Sequence, residues 1–182
     1  MSSNESRDGR PAVFLDRDGT IMRDADYCGD PRQVEIFPGT SAALQRLRDA
    51  GFLIVIITNQ SGIGRGYFSE GDYRAVEAEV ERQVGSGLID ASYFCPDVPD
   101  NGSLRRKPAP GMMLEAQEDH AIDLSRSFMI GDKAIDVECG RHAGVRTILV
   151  HTGKPKSPGE SDADWEARDL REAADIILRH AL

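Results

Sequence analysis

Much of what would place this chain in a familiar class is scarce. Cysteine is rare: Cys28, Cys95 and Cys139 are far apart and odd in number, which excludes a disulfide framework and a Cys-x-x-Cys metal motif. Reduced thiols fit a cytoplasmic location. The longest apolar run, Phe52 to Ile57, is far too short to span a bilayer, so no membrane partner is expected. Positive charge is in deficit, with 22 Lys and Arg against 31 Asp and Glu and a net charge of −9, which argues against a nucleic-acid partner. A small anionic substrate stays open, because a bound cation and a few basic groups reverse the sign inside a pocket. His120, His142, His151 and His180 lack metal-ligand spacing. There is no internal repeat and no low-complexity segment. Residues 1–10 are polar, without the apolar centre of a signal peptide, and read as a flexible leader to a single domain over 11–182.

What is present is an alternation of short apolar runs and amphipathic stretches. A content of 40% hydrophobic and 29% charged residues suits one domain with a sizeable core. Strands are predicted from Ala12 to Leu15, Phe52 to Ile57, Ala91 to Cys95, Ser127 to Ile130 and Arg146 to Val150. The second is apolar throughout, as in a parallel strand buried on both faces. Helices are predicted between them. Thr40 caps the first, which ends at Gly51; Ser69 caps the next, which runs to Val84. Two more cover Met112 to His120 and Ile135 to Ala143, and Asp169 caps the last. Trp165 reads as an anchor for that final segment, and Pro155 to Asp162 as a polar loop. The repeated β-α order predicts a three-layer, Rossmann-like α/β fold with a mostly parallel sheet. The insertions are small, so no large cap domain is expected.

Polar groups gather at the strand ends. Asp16 and Asp18 follow the first strand, with Gly19 marking a turn; alone, the pair suits either a metal site or an ordinary Asp-Gly turn. Thr58 to Ser61 follow the second strand, and Asp132 and Lys133 the fourth. Parallel strands put these ends on one side of the sheet, where α/β proteins bind ligands. Lys107, in a basic loop flanked by proline, could reach the same crevice. Carboxylates, a hydroxyl, backbone N–H groups and a lysine are what metal-assisted phosphoryl transfer requires. On this reading Asp16 and Asp132 hold Mg²⁺, while Thr58 and Lys107 bind phosphoryl oxygens.

In order along the chain, Asp16-x-Asp18-Gly19-Thr20, Thr58-Asn59-Gln60, Lys107-Pro108 and Gly131-Asp132-Lys133-x-x-Asp136 resemble the four motifs of the haloacid dehalogenase superfamily of phosphatases. Phe14 to Ile21, Thr58 to Gly66, Arg106-Lys107-Pro108 and Thr152-Gly153-Lys154-Pro155 are more closely similar to the heptose bisphosphate phosphatases within it, with histidinol phosphatases as a near branch. The resemblance implies a Mg²⁺-dependent phosphatase acting on the 7-phosphate of a heptose 1,7-bisphosphate, on the route to nucleotide-activated heptose and lipopolysaccharide. The alternatives are histidinol phosphate or another small phosphomonoester, and a non-catalytic sugar-phosphate-binding protein.

The resemblance also implies roles. Asp16 is the nucleophile and Asp18 the general acid and base. Mg²⁺ is held by the side chains of Asp16 and Asp132 and the carbonyl of Asp18. Thr58 and Lys107 stabilise the phosphoryl group. Asp24, Ala25, Asp26, Tyr27, Asn59, Gln60, Ser61, Arg106 and Lys133 contact the substrate, with Arg105 a competitor for the place of Arg106. Asp136 supports Lys133 or a metal-bound water. The enzyme is expected to be a monomer.

One family feature is broken. Many relatives carry a zinc-binding Cys-x-His and Cys-x-Cys set in the loop before Arg-Lys-Pro. Here only Cys95 remains, with Asp97, Ser103 and Arg105 at the other positions. One thiolate does not make a tetrahedral zinc site, so no structural zinc is expected. Met22 also stands where the family pattern has Asn.

Overall fold

A computed structural model describes residues 9–153 and 161–181. Its elements are β1 (Ala12–Leu15), α1 (Thr40–Asp49), β2 (Leu53–Asn59), α2 (Ser61–Gly64), α3 (Glu70–Val84), β3 (Ala91–Cys95), α4 (Gly111–His120), β4 (Phe128–Gly131), α5 (Ala134–Ala143), β5 (Arg146–Val150), β6 (Trp165–Ala167) and α6 (Leu170–His180). The strands form one sheet in the order β3-β2-β1-β4-β5-β6, and every pairing is parallel.

Strand alternation divides the core in two. Val13 and Leu15 of β1, Ile54 and Ile56 of β2, and Phe128 and Ile130 of β4 face α1, α3 and α6 through Leu44, Leu47, Val76, Val80, Ala173 and Ile177. Ala12, Phe14, Val55, Ile57 and Met129 face the other way, onto Met112, Met113 and Ala116 of α4 and Cys139 of α5. The three-layer architecture follows from this period of two on strands apolar on both faces. All strand C-termini lie on one side, which is where the site forms.

Local chemistry explains the element ends. Ser69 and Asp72 make a reciprocal capping box at α3. Asp169 accepts from Glu172 N at the start of α6. Gly39, at φ +83, occupies the N-cap of α1; Thr40, expected there, is the first helical residue, and its hydroxyl reaches Ile21 O at 3.5 Å. β2 runs through Thr58 and Asn59, beyond the apolar run, because both pair with Phe94 and Cys95 of β3. β6 was not anticipated; its pairing to β5 places Trp165 opposite Ile148 and gives the expected anchor a strand position.

Within the segment read as a leader, residues 1–8 lie outside the described residues. Arg10 already pairs with Ile122, and its carbonyl accepts from Asp123 N at 3.0 Å. Lys154, Pro155 and the loop as far as residue 160 also lie outside the described residues. Among the described residues no helix is long and apolar enough to cross a membrane.

Candidate active site

The three central strands deliver the polar groups. Asp16 is the first residue past β1, and its N–H still bonds Ile130 O of β4 at 3.0 Å. Thr58 sits near the end of β2, and Asp132 follows β4 directly. Lys107 comes from the loop between β3 and α4. Its ammonium donates to Asp16 Oδ1 at 2.8 Å, Asp136 Oδ1 at 2.7 Å and Ile57 O at 3.0 Å. All three donor positions of the ammonium are thereby used in a fully buried setting. Lys107 is itself fixed by Asn59, whose amide bonds both the N–H and the C=O of Lys107.

Burial opposes charge on Asp16, but Lys107 and Lys133 outweigh it and hold the carboxyl below its usual range. At Asp136 burial prevails over the attraction of Lys107, and repulsion from Asp16 adds to it, so that carboxyl is raised. Burial likewise opposes charge on Lys107, yet Asp136 and Asp16 keep it protonated. The arrangement is a shared cation between two buried carboxylates.

Ligand oxygens of Asp16, Asp132 and Asp136 all lie within 4.8 Å of one another. Asp136 spends Oδ1 on Lys107 and Oδ2 on Lys133 N, at 3.0 Å. Asp16 and Asp132 are therefore the side chains suited to a cation. An all-oxygen donor set matches Mg²⁺. Two close backbone approaches shape this place: a Cβ on Gly19 would stand 2.5 Å from Asp132 Oδ2, and one on Gly153 would strike the same oxygen. Gly19 also needs its φ of +89. The Lys133 ammonium stands 3.5 Å from both Asp132 Oδ1 and Asp18 O, among the oxygens expected to serve the metal, and 3.7 Å from Asp24.

Asp18 is held differently from Asp16. Arg17 grips its carboxylate with Nε and Nη2 at 3.0–3.2 Å, and Gln60 Nε2 donates to Oδ2 at 2.9 Å. The same Gln60 nitrogen donates to Thr58 Oγ1 at 2.8 Å. Arg17 was missed in the sequence because an arginine between two aspartates reads as a solvated charge. Only its burial, at 2% exposed, marks it.

The remaining expected residues are placed less centrally. Ser61 opens the short α2. Asp24 Oδ1 accepts from Asp26 N, and Asp26 and Tyr27 adopt φ values of 52 and 60. Tyr27, 48% exposed, meets Tyr67 edge-on at 4.9 Å, while Ala25 packs on the core. Arg106 donates to Asp97 O at 2.8 Å, and Arg105 turns away to a two-point pair with Glu115. Cys95 contacts Asp97 at 3.4 Å and Ser103 at 3.6 Å, so direct polar contacts tie this loop together.

The chain is similar to known proteins over most of its length. A family model described as HAD-hydrolase-like matches residues 104–176. A relative from Thermosynechococcus vestitus, named D-glycero-D-manno-heptose-1,7-bisphosphate 7-phosphatase, is 37% identical over 94% of this chain and 97% of its own. One from Haemophilus ducreyi, named for the β-anomer of the same substrate, is 40% identical over 89% and 95%. Among solved structures, the D,D-heptose 1,7-bisphosphate phosphatase of B. bronchiseptica, complexed with magnesium and phosphate, is similar with a TM-score of 0.83 and 31% identity, covering 94% of this chain and 99% of that one. With motif order, strand-end geometry and full-length likeness in agreement, the chain belongs to the heptose bisphosphate phosphatase family of HAD-like hydrolases, which are phosphomonoester hydrolases.

Proposed function

We propose that this enzyme removes the 7-phosphate of D-glycero-D-manno-heptose 1,7-bisphosphate through an aspartyl-phosphate on Asp16. The observation that carries the substrate is likeness over nearly the full length of relatives named for that reaction. The chemistry rests on the Asp16–Lys107–Asp136 array at the strand ends.

Phosphomonoester hydrolysis is very slow uncatalysed, so roughly 20 kcal/mol of barrier reduction is required, chiefly from positioning and charge stabilisation. Asp16, kept ionised by Lys107, attacks phosphorus while the P–O bond to the sugar breaks. Asp18 gives its proton to the departing sugar oxygen, then takes one from the water that hydrolyses the aspartyl-phosphate and regenerates Asp16. Thr58 accepts from Gln60, so its own hydroxyl hydrogen is directed to a phosphoryl oxygen. Asp16, Asp132 and the carbonyl of Asp18 would hold Mg²⁺, which when bound neutralises phosphoryl charge. Asp24, Lys133, Tyr27, Ser61 and Arg106 receive the sugar phosphate. Asn59 acts through Lys107. The protein works in the cytoplasm as a monomer without structural zinc, on the route to nucleotide-activated heptose and lipopolysaccharide.

Phosphate release from heptose bisphosphate and from histidinol phosphate tests the substrate. A preference of about 100-fold or more in kcat/KM for the former is expected, since a site built to bond sugar hydroxyls rejects a ligand that lacks them. Equal rates would overturn the assignment.

A further inference from the structure

Arg17 is used by nothing in the mechanism above, yet it is one of the largest fully buried side chains in the protein. Burying a guanidinium is costly unless its charge is met, and Asp18 is the acidic side chain that meets it. Three contacts of 3.0–3.2 Å form a fork around the Asp18 carboxylate. The third nitrogen, Nη1, is buried and has no hydrogen-bond partner. The guanidinium is instead backed by the ring of Tyr73 on α3, 5.6 Å from its centroid. Tyr73 is buried as well, and its hydroxyl is fixed on Glu77 at 3.0 Å. The carbonyl of Arg17 meanwhile accepts from the N–H groups of Thr20, Ile21 and Met22, so both ends of the residue shape the turn that carries Asp18.

We infer that Arg17 is a positioning residue that fixes the Asp18 carboxylate for proton transfer. The inference rests on the proposed role of Asp18. A bidentate fork sets both the place and the plane of a carboxylate, which a single-point donor does not. Gln60 supplies a second direction, donating to Oδ2 of that carboxylate from the side of Thr58. An acid must sit within hydrogen-bond reach of the departing oxygen, and small displacements are expensive. Arg17 reaches Asp18 from the α3 side, alongside a cavity of about 420 Å³ whose lining includes Arg17, Ile56, Tyr73, Glu77 and Ser92. That cavity gives a small guanidinium ion a route to the place the side chain occupies.

Steady-state kinetics on heptose bisphosphate with Arg17→Ala, Arg17→Lys and Asp18→Asn test this. Arg17→Ala is expected to lower kcat about 100-fold with KM changed less than about threefold. Added ethylguanidinium should restore about tenfold of that loss in a saturable manner, since it can rebuild the fork. Arg17→Lys should keep the fold and the charge but lose most of the kcat. A wild-type kcat in Arg17→Lys, or in Arg17→Ala, would overturn the inference. So would a folded Arg17→Ala whose lost activity ethylguanidinium leaves untouched, because that marks a purely structural arginine. Asp18→Asn separates the two readings: if it stays active the acid–base assignment fails, whereas an inactive Asp18→Asn beside an active Arg17→Ala refutes only the positioning role.

Discussion

Asn59 closes a two-point clamp on the backbone of Lys107: its Nδ2 donates to Lys107 O at 3.1 Å, and its Oδ1 accepts from Lys107 N at 3.0 Å. Asn59 thus places the lysine that reaches Asp16. Asn59→Ala should lower kcat by more than tenfold and cost about 1–3 kcal/mol of stability, because two part-buried backbone groups lose their partner. Asn59→Asp should fare no better, since a carboxylate cannot donate to Lys107 O. Phosphate release and urea unfolding measure the two effects; unchanged kcat in both variants would show that the clamp is dispensable.

Removal of Lys107 is expected to do more than abolish activity. Lys107→Met leaves Asp16 and Asp136 facing each other, buried, without their shared cation. Breaking such a pair costs about 3–5 kcal/mol. Asp136→Asn placed on top should return part of that loss, as it removes one of the uncompensated charges. The check is chemical denaturation of the two single variants and the double variant. Strict additivity would mean that the three groups do not act as a unit.

Gly19 and Gly51 share a positive φ, at 89 and 93, but only Gly19 abuts a carboxylate. Nothing lies within 4 Å of a Cβ added to Gly51. Both Gly→Ala variants should lose about 1 kcal/mol or more from backbone strain. Only Gly19→Ala should also displace Asp132 and raise the Mg²⁺ concentration needed for half-maximal activity. A Mg²⁺ titration of both variants decides this, and matching curves would refute the close-approach argument.

The three cysteines are buried, and burial raises each thiol, pushing Cys139 up to about 12. Since the thiolate is the reacting form, the native protein should react only slowly with an aromatic disulfide reagent near pH 8. Unfolded protein should titrate all three. Fast reaction of one native thiol would locate a region that opens readily.

Chelation should separate the two metal expectations. EDTA is expected to abolish phosphatase activity, and Mg²⁺ alone to restore it, without a change in unfolding midpoint of the size a structural zinc would cause. Stoichiometric zinc by elemental analysis would contradict the reading of the loop around Cys95.

The parallel fold was legible because β1, β2 and β4 are apolar on both faces, a pattern antiparallel sheets rarely need. The helix caps at Ser69 and Asp169 were legible because a cap is a local bond between residues a few positions apart. β6 was not, since Trp165–Ala167 is too short to show a period and gains strand geometry only from its pairing with β5.

Residue types at strand ends thus fixed which chemistry this chain can hold, because a parallel sheet carries every such end to one edge. What the tertiary structure alone decided is who holds whom. Lys107 meets Asp16 across 91 positions, Asn59 clamps the backbone of Lys107 from 48 positions away, and Arg17 becomes a buried partner of Asp18 under α3. Periodicity and propensity act over a few residues. These contacts depend on strand order and on the depth at which each side chain is buried, and neither is written in any local stretch of sequence.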